Sequence, residues 1–254
     1  MNLTEPSAKI SLNVPLWRVT MAAAMFLALA IFLPGPACTP PKSRPSATAK
    51  AHFEWGRKLL EGNDFNRAIQ EFNAAIAITP KYMAAYGLRG QGYLIKGDLD
   101  SAISDFNEAI RLGSKDSEVY SKRGVALARK GDYDGAIADF TKALKRGPRD
   151  CRTIFNRGSA YLKKQDFGRA LADFNEAVAL APKDFKGQAL AGRGSAYTVK
   201  KDYAAAIADY TRAIELEPGN ASFYNGRGRA YRAKGDETNA AADFEKARQL
   251  GPRR

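Results

Sequence analysis

Residues 117–150, SEVYSKRGVALARKGDYDGAIADFTKALKRGPRD, hold the pattern that decides the fold. Tyr120, Gly124, Leu127 and Ala128 step by three and four, which lays them along one face of a helix. Gly131-Asp132 breaks the run, since glycine suits a helix end and aspartate suits the N-cap of the next helix. A second periodic run follows at Tyr133, Ala136, Ile137, Phe140, Ala143 and Leu144. Gly147-Pro148 closes it, because proline cannot continue a helix and glycine accepts a left-handed end. The stretch predicts two short antiparallel helices joined by a tight turn. Gly124 and Ala136 are small enough to let the two backbones approach, and Phe140 fills the space this leaves.

The same residue types return about every 34 residues, a period that marks a repeat architecture. Upstream stand Gly90, Ala102, Phe106 and Ala109, and before them Gly56, Ala68, Phe72, Ala75 and Pro80. Downstream come Gly158, Ala170, Phe174, Ala177 and Pro182, then Gly194, Ala206, Tyr210, Ala213 and Pro218. The series ends with Gly228, Ala240, Phe244, Ala247 and Pro252. Six copies run from Ala49 to Arg254, interrupted only by Phe185 and Lys186. Each repeat buries one face on the next, so the chain length of 254 residues does not count globular domains.

These residues resemble the tetratricopeptide repeat, whose pattern sets an aromatic, Leu-Gly, Tyr, Ala, Phe and Pro at matching offsets. The resemblance covers about four-fifths of the chain. It implies an all-α fold, a right-handed α-solenoid of six helix-turn-helix repeats at 49–82, 83–116, 117–150, 151–184, 187–220 and 221–254. One departure is systematic. The family's leucine before the glycine is here Arg89, Arg123, Arg157, Arg193 and Arg227, and the second helices of those copies carry Asp105, Asp139, Asp173, Asp209 and Asp243. In the first copy Trp55 and Glu71 take these places. The spacing predicts a ladder of Arg–Asp contacts with the arginine stems packed on apolar surface.

Ahead of the repeats, residues 19–33 form an uncharged apolar run preceded by Lys9 and Arg18, the pattern of a secretory signal or membrane anchor over 1–33. The run is shorter than the roughly 20 residues of a comfortable transmembrane helix. Pro34-Gly35-Pro36-Ala37-Cys38 follows, and small residues before a cysteine resemble a bacterial lipoprotein processing site. Lipidation at Cys38, cleavage after Ala37 and retention as an anchor remain alternatives. All three place the repeats outside the cytoplasm of a bacterium, at the envelope or secreted. Residues 34–48 hold five of the twelve prolines and read as a flexible tether. The other cysteine, Cys151, is expected as a small packed residue at a helix start. In the last repeat Glu237, Ala241 and Arg248 replace larger apolar residues, which would make an outer face wettable.

Nothing in the sequence carries catalysis, and no cofactor or metal is expected. The single histidine, His52, is read as packed or exposed; no Cys/His cluster has metal spacing, and no phosphate-cradling loop is present. The family resemblance implies a binding protein whose first helices line a concave groove. The inward places of those helices give Lys50, Phe53, Arg57, Gln91, Arg129, Arg152, Phe155, Lys163, Asn225, Arg229 and Arg232, with Glu61 and Glu118 as the anions among them. The chain carries +13 overall, so the groove is expected to attract an extended acidic peptide, with Phe53 and Phe155 as apolar anchors. The clamp by which some relatives hold a chaperone tail is absent: Asn156 fits it, but Ser121, Val125, Gln188 and Gly192 do not. Two rival readings are an accessory subunit of an envelope enzyme or secretion machine and a nucleic-acid binder. The second is disfavoured by few aromatic platforms on the inward face and no long basic run within the repeats.

Overall fold

The computed structural model describes residues 48–251. The signal or anchor segment, most of the tether and Cys38 lie outside the described residues. Among these residues there are twelve helices and no strands. They are α1 (Ala49–Glu61), α2 (Phe65–Ile78), α3 (Met83–Lys96), α4 (Leu99–Arg111), α5 (Ser117–Lys130) and α6 (Tyr133–Arg146). The second half holds α7 (Cys151–Lys163), α8 (Phe167–Leu180), α9 (Lys183–Val199), α10 (Tyr203–Leu216), α11 (Ala221–Lys234) and α12 (Glu237–Leu250). Consecutive pairs form six hairpins, and the whole is an all-α solenoid.

Within each hairpin the small residues sit at the helix crossing. A Cβ added to Gly56, Gly124 or Gly228 would lie 2.8, 2.8 or 2.9 Å from the ring of Phe72, Phe140 or Phe244. Ala68, Ala102, Ala136, Ala170 and Ala206 have no exposed surface, and Phe72, Phe106 and Phe140 are fully enclosed. Each second helix is opened by an aspartate whose side chain accepts a backbone N–H three residues on, as Asp132 does from Gly135 at 2.9 Å.

The turn between paired helices needs one residue in the left-handed region. Gly97, Gly131 and Gly235 fill it with φ of 84°, 90° and 91°, whereas Asn63, Gln165 and Lys201 adopt φ of 62°, 62° and 68° at the equivalent place. Gly147 behaves otherwise than its sequence context predicts. Its φ of −123° and ψ of −177° are extended, and it is small because Ser117 Oγ occupies the space a Cβ would need. The two-residue insertion is also not a break. It lies inside α9, which at 17 residues is the longest helix described, and Phe185 is buried against Cys151, Ala189 and Phe155.

Every predicted Arg–Asp pair forms, and each is bidentate. Arg89 to Asp105 spans 2.8 and 2.7 Å, Arg123 to Asp139 2.6 and 2.7 Å, and Arg157 to Asp173 2.8 and 2.8 Å. Arg193 to Asp209 spans 2.7 and 2.7 Å, and Arg227 to Asp243 2.8 and 2.8 Å. A third guanidinium N–H reaches the preceding repeat's second helix. Arg89 donates to Asn73 at 2.6 Å, Arg123 to Asn107 at 2.6 Å, Arg193 to Asn175 at 2.9 Å and Arg227 to Thr211 at 3.1 Å. The hydrogen bonds to aspartate raise the pKa of all five guanidinium groups. In the first repeat His52 Nδ1 lies 2.5 Å from Glu71 Oε2, so the lone histidine is a hydrogen-bond partner there and not only a packed residue.

The backbones of successive first helices approach within 8 Å between Cα atoms, whereas among the described residues those of no two second helices do. The side built from first helices is therefore the shorter, inner side of the stack.

Two outcomes follow. Asp139 is 3% exposed and Arg123 18%, so Asp139→Ala leaves a half-buried cation without its carboxylate and should cost about 3–5 kcal/mol in urea unfolding followed by circular dichroism. A cost under about 1 kcal/mol, the range of an exposed pair, would contradict the ladder's role. Relieving the left-handed lysine by Lys201→Gly should stabilise by about 0.5–1 kcal/mol in the same assay, and a loss of stability would contradict the strain.

Candidate peptide-binding groove

The inner face presents side chains from α1, α3, α5, α7, α9 and α11, and all but α1 are held in register by the bidentate arginine one residue before the repeat glycine. The predicted groove residues divide sharply once their neighbours are seen. Arg57 is compensated: it donates to Glu54 at 2.9 Å and to Glu61 at 2.8 Å. Arg152 stacks 4.7 Å over the Phe185 ring and meets Asp184 at 3.3 Å. Arg232 lies 4.5 Å over the Phe244 ring, with Glu237 at 3.8 Å. Lys50, Arg129, Lys163 and Arg229 have no carboxylate partner among the described residues, and all four are exposed. Asn225 is exposed between them on α11.

The two aromatic anchors differ. Phe155 packs edge-on against Phe174 and Phe185, both at 5.4 Å, and a Cβ on Gly192 would collide with its ring. It fills the joint between the fourth and fifth repeats. Phe53 lies 4.9 Å from Tyr82 and 6.0 Å from Phe72, yet also lines an open cavity of about 240 Å³ with Met83, Gln91, Val119 and Lys122. That end of the groove is not uniformly basic. Asp116 and Glu118 line the same cavity, and Lys122 donates to Gln91 at 2.7 Å and pairs with Glu118.

A second cavity of about 240 Å³ brings Arg129 and Lys163 together across the third and fourth repeats. Its floor includes Val125, Ala128, Tyr133 and Phe140, and Asn156 stands at its edge. Arg129 donates to the Leu94 carbonyl at 3.0 Å, which ties its guanidinium to the end of α3 in the preceding repeat.

Sequence reasoning missed Ile95 and Val199, which expose 49% and 52% of their surface. The signal was available: they occupy the same repeat position as Arg129 and Lys163. They add apolar footing beside the cations. Among the described residues no three His, Cys, Asp or Glu side chains could hold a metal ion. The buried aspartates are already bonded twice to arginine, and Cys151 is a buried thiol whose pKa burial raises.

A stack of helical hairpins with an open inner face, cations at its rim and apolar footing beside them defines a class of protein built to hold other proteins. Family models carry the assignment further. The tetratricopeptide repeat model matches residues 53–117 and 121–185, and two further repeat models match 194–235 and 221–250. The chain belongs to the tetratricopeptide repeat family.

The comparison with curated protein sequences returned no match. Among solved structures the chain is similar to one from the APC/C hetero-tetramer Cut9–Hcn1, with a TM-score of 0.69 at 21% identity, over 82% of this chain and 41% of that one. It is similar to PilW, a widely conserved type IV pilus biogenesis factor, with a TM-score of 0.69 at 20% identity over 80% and 91%. It is also similar to YrrB, a repeat protein with an unusual peptide-binding site, with a TM-score of 0.56 at 23% identity over 71% and 92%. At these identities the likeness is one of fold.

Proposed function

We propose that the protein is a non-enzymatic scaffold that holds an extended, acidic segment of a partner protein along its first helices. One observation carries the reading: Arg129, Lys163 and Arg229 lie on the inner face without carboxylate partners among the described residues. A bound carboxylate row would meet these charges in a concave surface, where field and desolvation strengthen each contact. The same geometry argues against catalysis. The carboxylates that are buried are bonded to arginine in copy after copy, and the one histidine is bonded to Glu71.

The scaffold acts at the cell envelope in this reading, attached through the apolar run at 19–33 or a lipid on Cys38, with the proline-rich stretch as tether. Among the described residues no helix is long and apolar enough to cross a membrane. Nucleic acid is not the intended ligand: the inward aromatic rings of Phe53 and Phe155 are engaged with other rings and offer few stacking platforms.

The test is fluorescence anisotropy of a labelled peptide of alternating glutamate and serine, titrated with the full-length protein at low salt. It should bind, weaken as salt rises, and lose at least about tenfold in affinity for a variant carrying Arg129→Glu, Lys163→Glu and Arg229→Glu. Charge reversal at Arg212 and Lys246 on the second helices should leave it within about twofold. Absence of binding, or equal loss from both variants, would overturn the groove reading.

A further inference from the structure

Four residues after the repeat glycine, the first helices carry Leu60, Leu94, Ala128 and Leu162 in the first four copies. Leu60 and Leu94 are buried, at 8% and 9% exposure. Leu60 reaches across to the next repeat: a Cβ added to Gly92 would lie 3.9 Å from its Cδ1. Ala128 stops short of that crossing. At this joint the structure has the cavity of about 240 Å³ over Ala128, Phe140 and Ala160, where the neighbouring joints carry a leucine. It is smaller than the roughly 300–1,000 Å³ of pockets that enclose whole small molecules, and suits a single side chain. An unfilled apolar recess forfeits contact energy, so an apolar group entering it gains what Leu60 and Leu94 gain in their own joints.

The rim adds charge. Arg129 lines the recess, its guanidinium bonded to the Leu94 carbonyl of the preceding repeat, and Asn156 and Lys163 line it from the following repeat, Lys163 without a carboxylate partner among the described residues. The geometry points to a subsite at Ala128 that takes one leucine-sized aliphatic side chain from the bound segment, with an acidic residue of that segment next to it, facing Arg129 and Lys163. This rests on the groove reading above and sharpens it: the partner segment is acidic and carries an aliphatic residue among its acids. The ligand completes a joint that the chain itself leaves short by one side chain.

Two labelled peptides test it on the full-length protein, Glu-Ser-Glu-Leu-Glu-Ser-Glu and the same sequence with alanine for leucine. The leucine peptide should bind at least about tenfold tighter, the discrimination expected from burying one aliphatic side chain. Ala128→Leu should raise the melting midpoint by filling the recess and abolish the leucine preference, while the alanine peptide keeps its affinity within about twofold. Ala128→Val, a smaller filling, should give an intermediate preference, which keeps the test alive if leucine is not accommodated. Equal affinity of the two peptides for the unaltered protein would overturn the subsite and leave the acidic groove standing. Failure of both to bind would overturn the groove as well. If sedimentation shows a dimer that Ala128→Leu dissociates, with the leucine preference unchanged, the recess belongs to a second copy and the proposal falls.

Discussion

A guanidinium that reaches three helices at once fastens each repeat to the one before it. In the third repeat Arg123 gives two N–H groups to Asp139 on its own second helix and a third to Asn107 on the preceding one. Burying such a charge is costly unless its hydrogen bonds are met, so the arginine tolerates little change in the distance or register of the helices it joins. Leucine at this place would contribute area without direction; arginine fixes an orientation. Because every bridging arginine sits on a first helix and both acceptors sit on second helices, the outer wall is spaced by side chains. The first helices meet directly. An inner face shorter than the outer one is the geometric consequence, and the groove is that face. The first repeat has no second helix before it, and there the motif is absent: Trp55 takes the arginine's place and His52 satisfies Glu71.

The groove is thus a rigid frame on which individual side chains vary without disturbing the stack. The frame repeats and the lining does not. Toward the first repeat, Arg57 is neutralised by Glu54 and Glu61, and Asp116 and Glu118 offset Lys122. Beyond Lys50 at the start of α1, the groove cations without a carboxylate partner among the described residues fall in the third, fourth and sixth repeats, at Arg129, Lys163 and Arg229. An extended acidic segment would be oriented by this gradient, with its most acidic portion toward the later repeats.

The hairpins were legible because their constraints are local in sequence. A glycine facing an aromatic ring 16 residues later, and an aspartate after a turn residue, can be read from spacing alone. The Arg–Asp ladder was legible for the same reason, since each pair also lies 16 residues apart. Its third arm was missed, because Asn73, Asn107 and Thr211 read as ordinary surface residues until the preceding repeat is set beside them. The insertion looked like a break because it shifts the period, but Phe185 supplies enough buried surface to make it an extra stretch of α9. In the groove, position told which side chains face inward and could not tell which were already paired. Arg57 and Lys163 occupy comparable inner places, yet only the first has a glutamate three residues before it and another four residues after. The inner position of Phe155 predicts an apolar anchor, while its ring fills the room left by Gly192 in the next repeat.

The most direct measurement is a double-mutant cycle on Arg123→Met and Asn107→Ala, which isolates the contact between one repeat and the one before it. Coupling of about 1 kcal/mol between the two substitutions is expected if the arginine joins successive repeats. Strict additivity would contradict it and would leave the spacing of the outer wall, and with it the shape of the groove, without a cause.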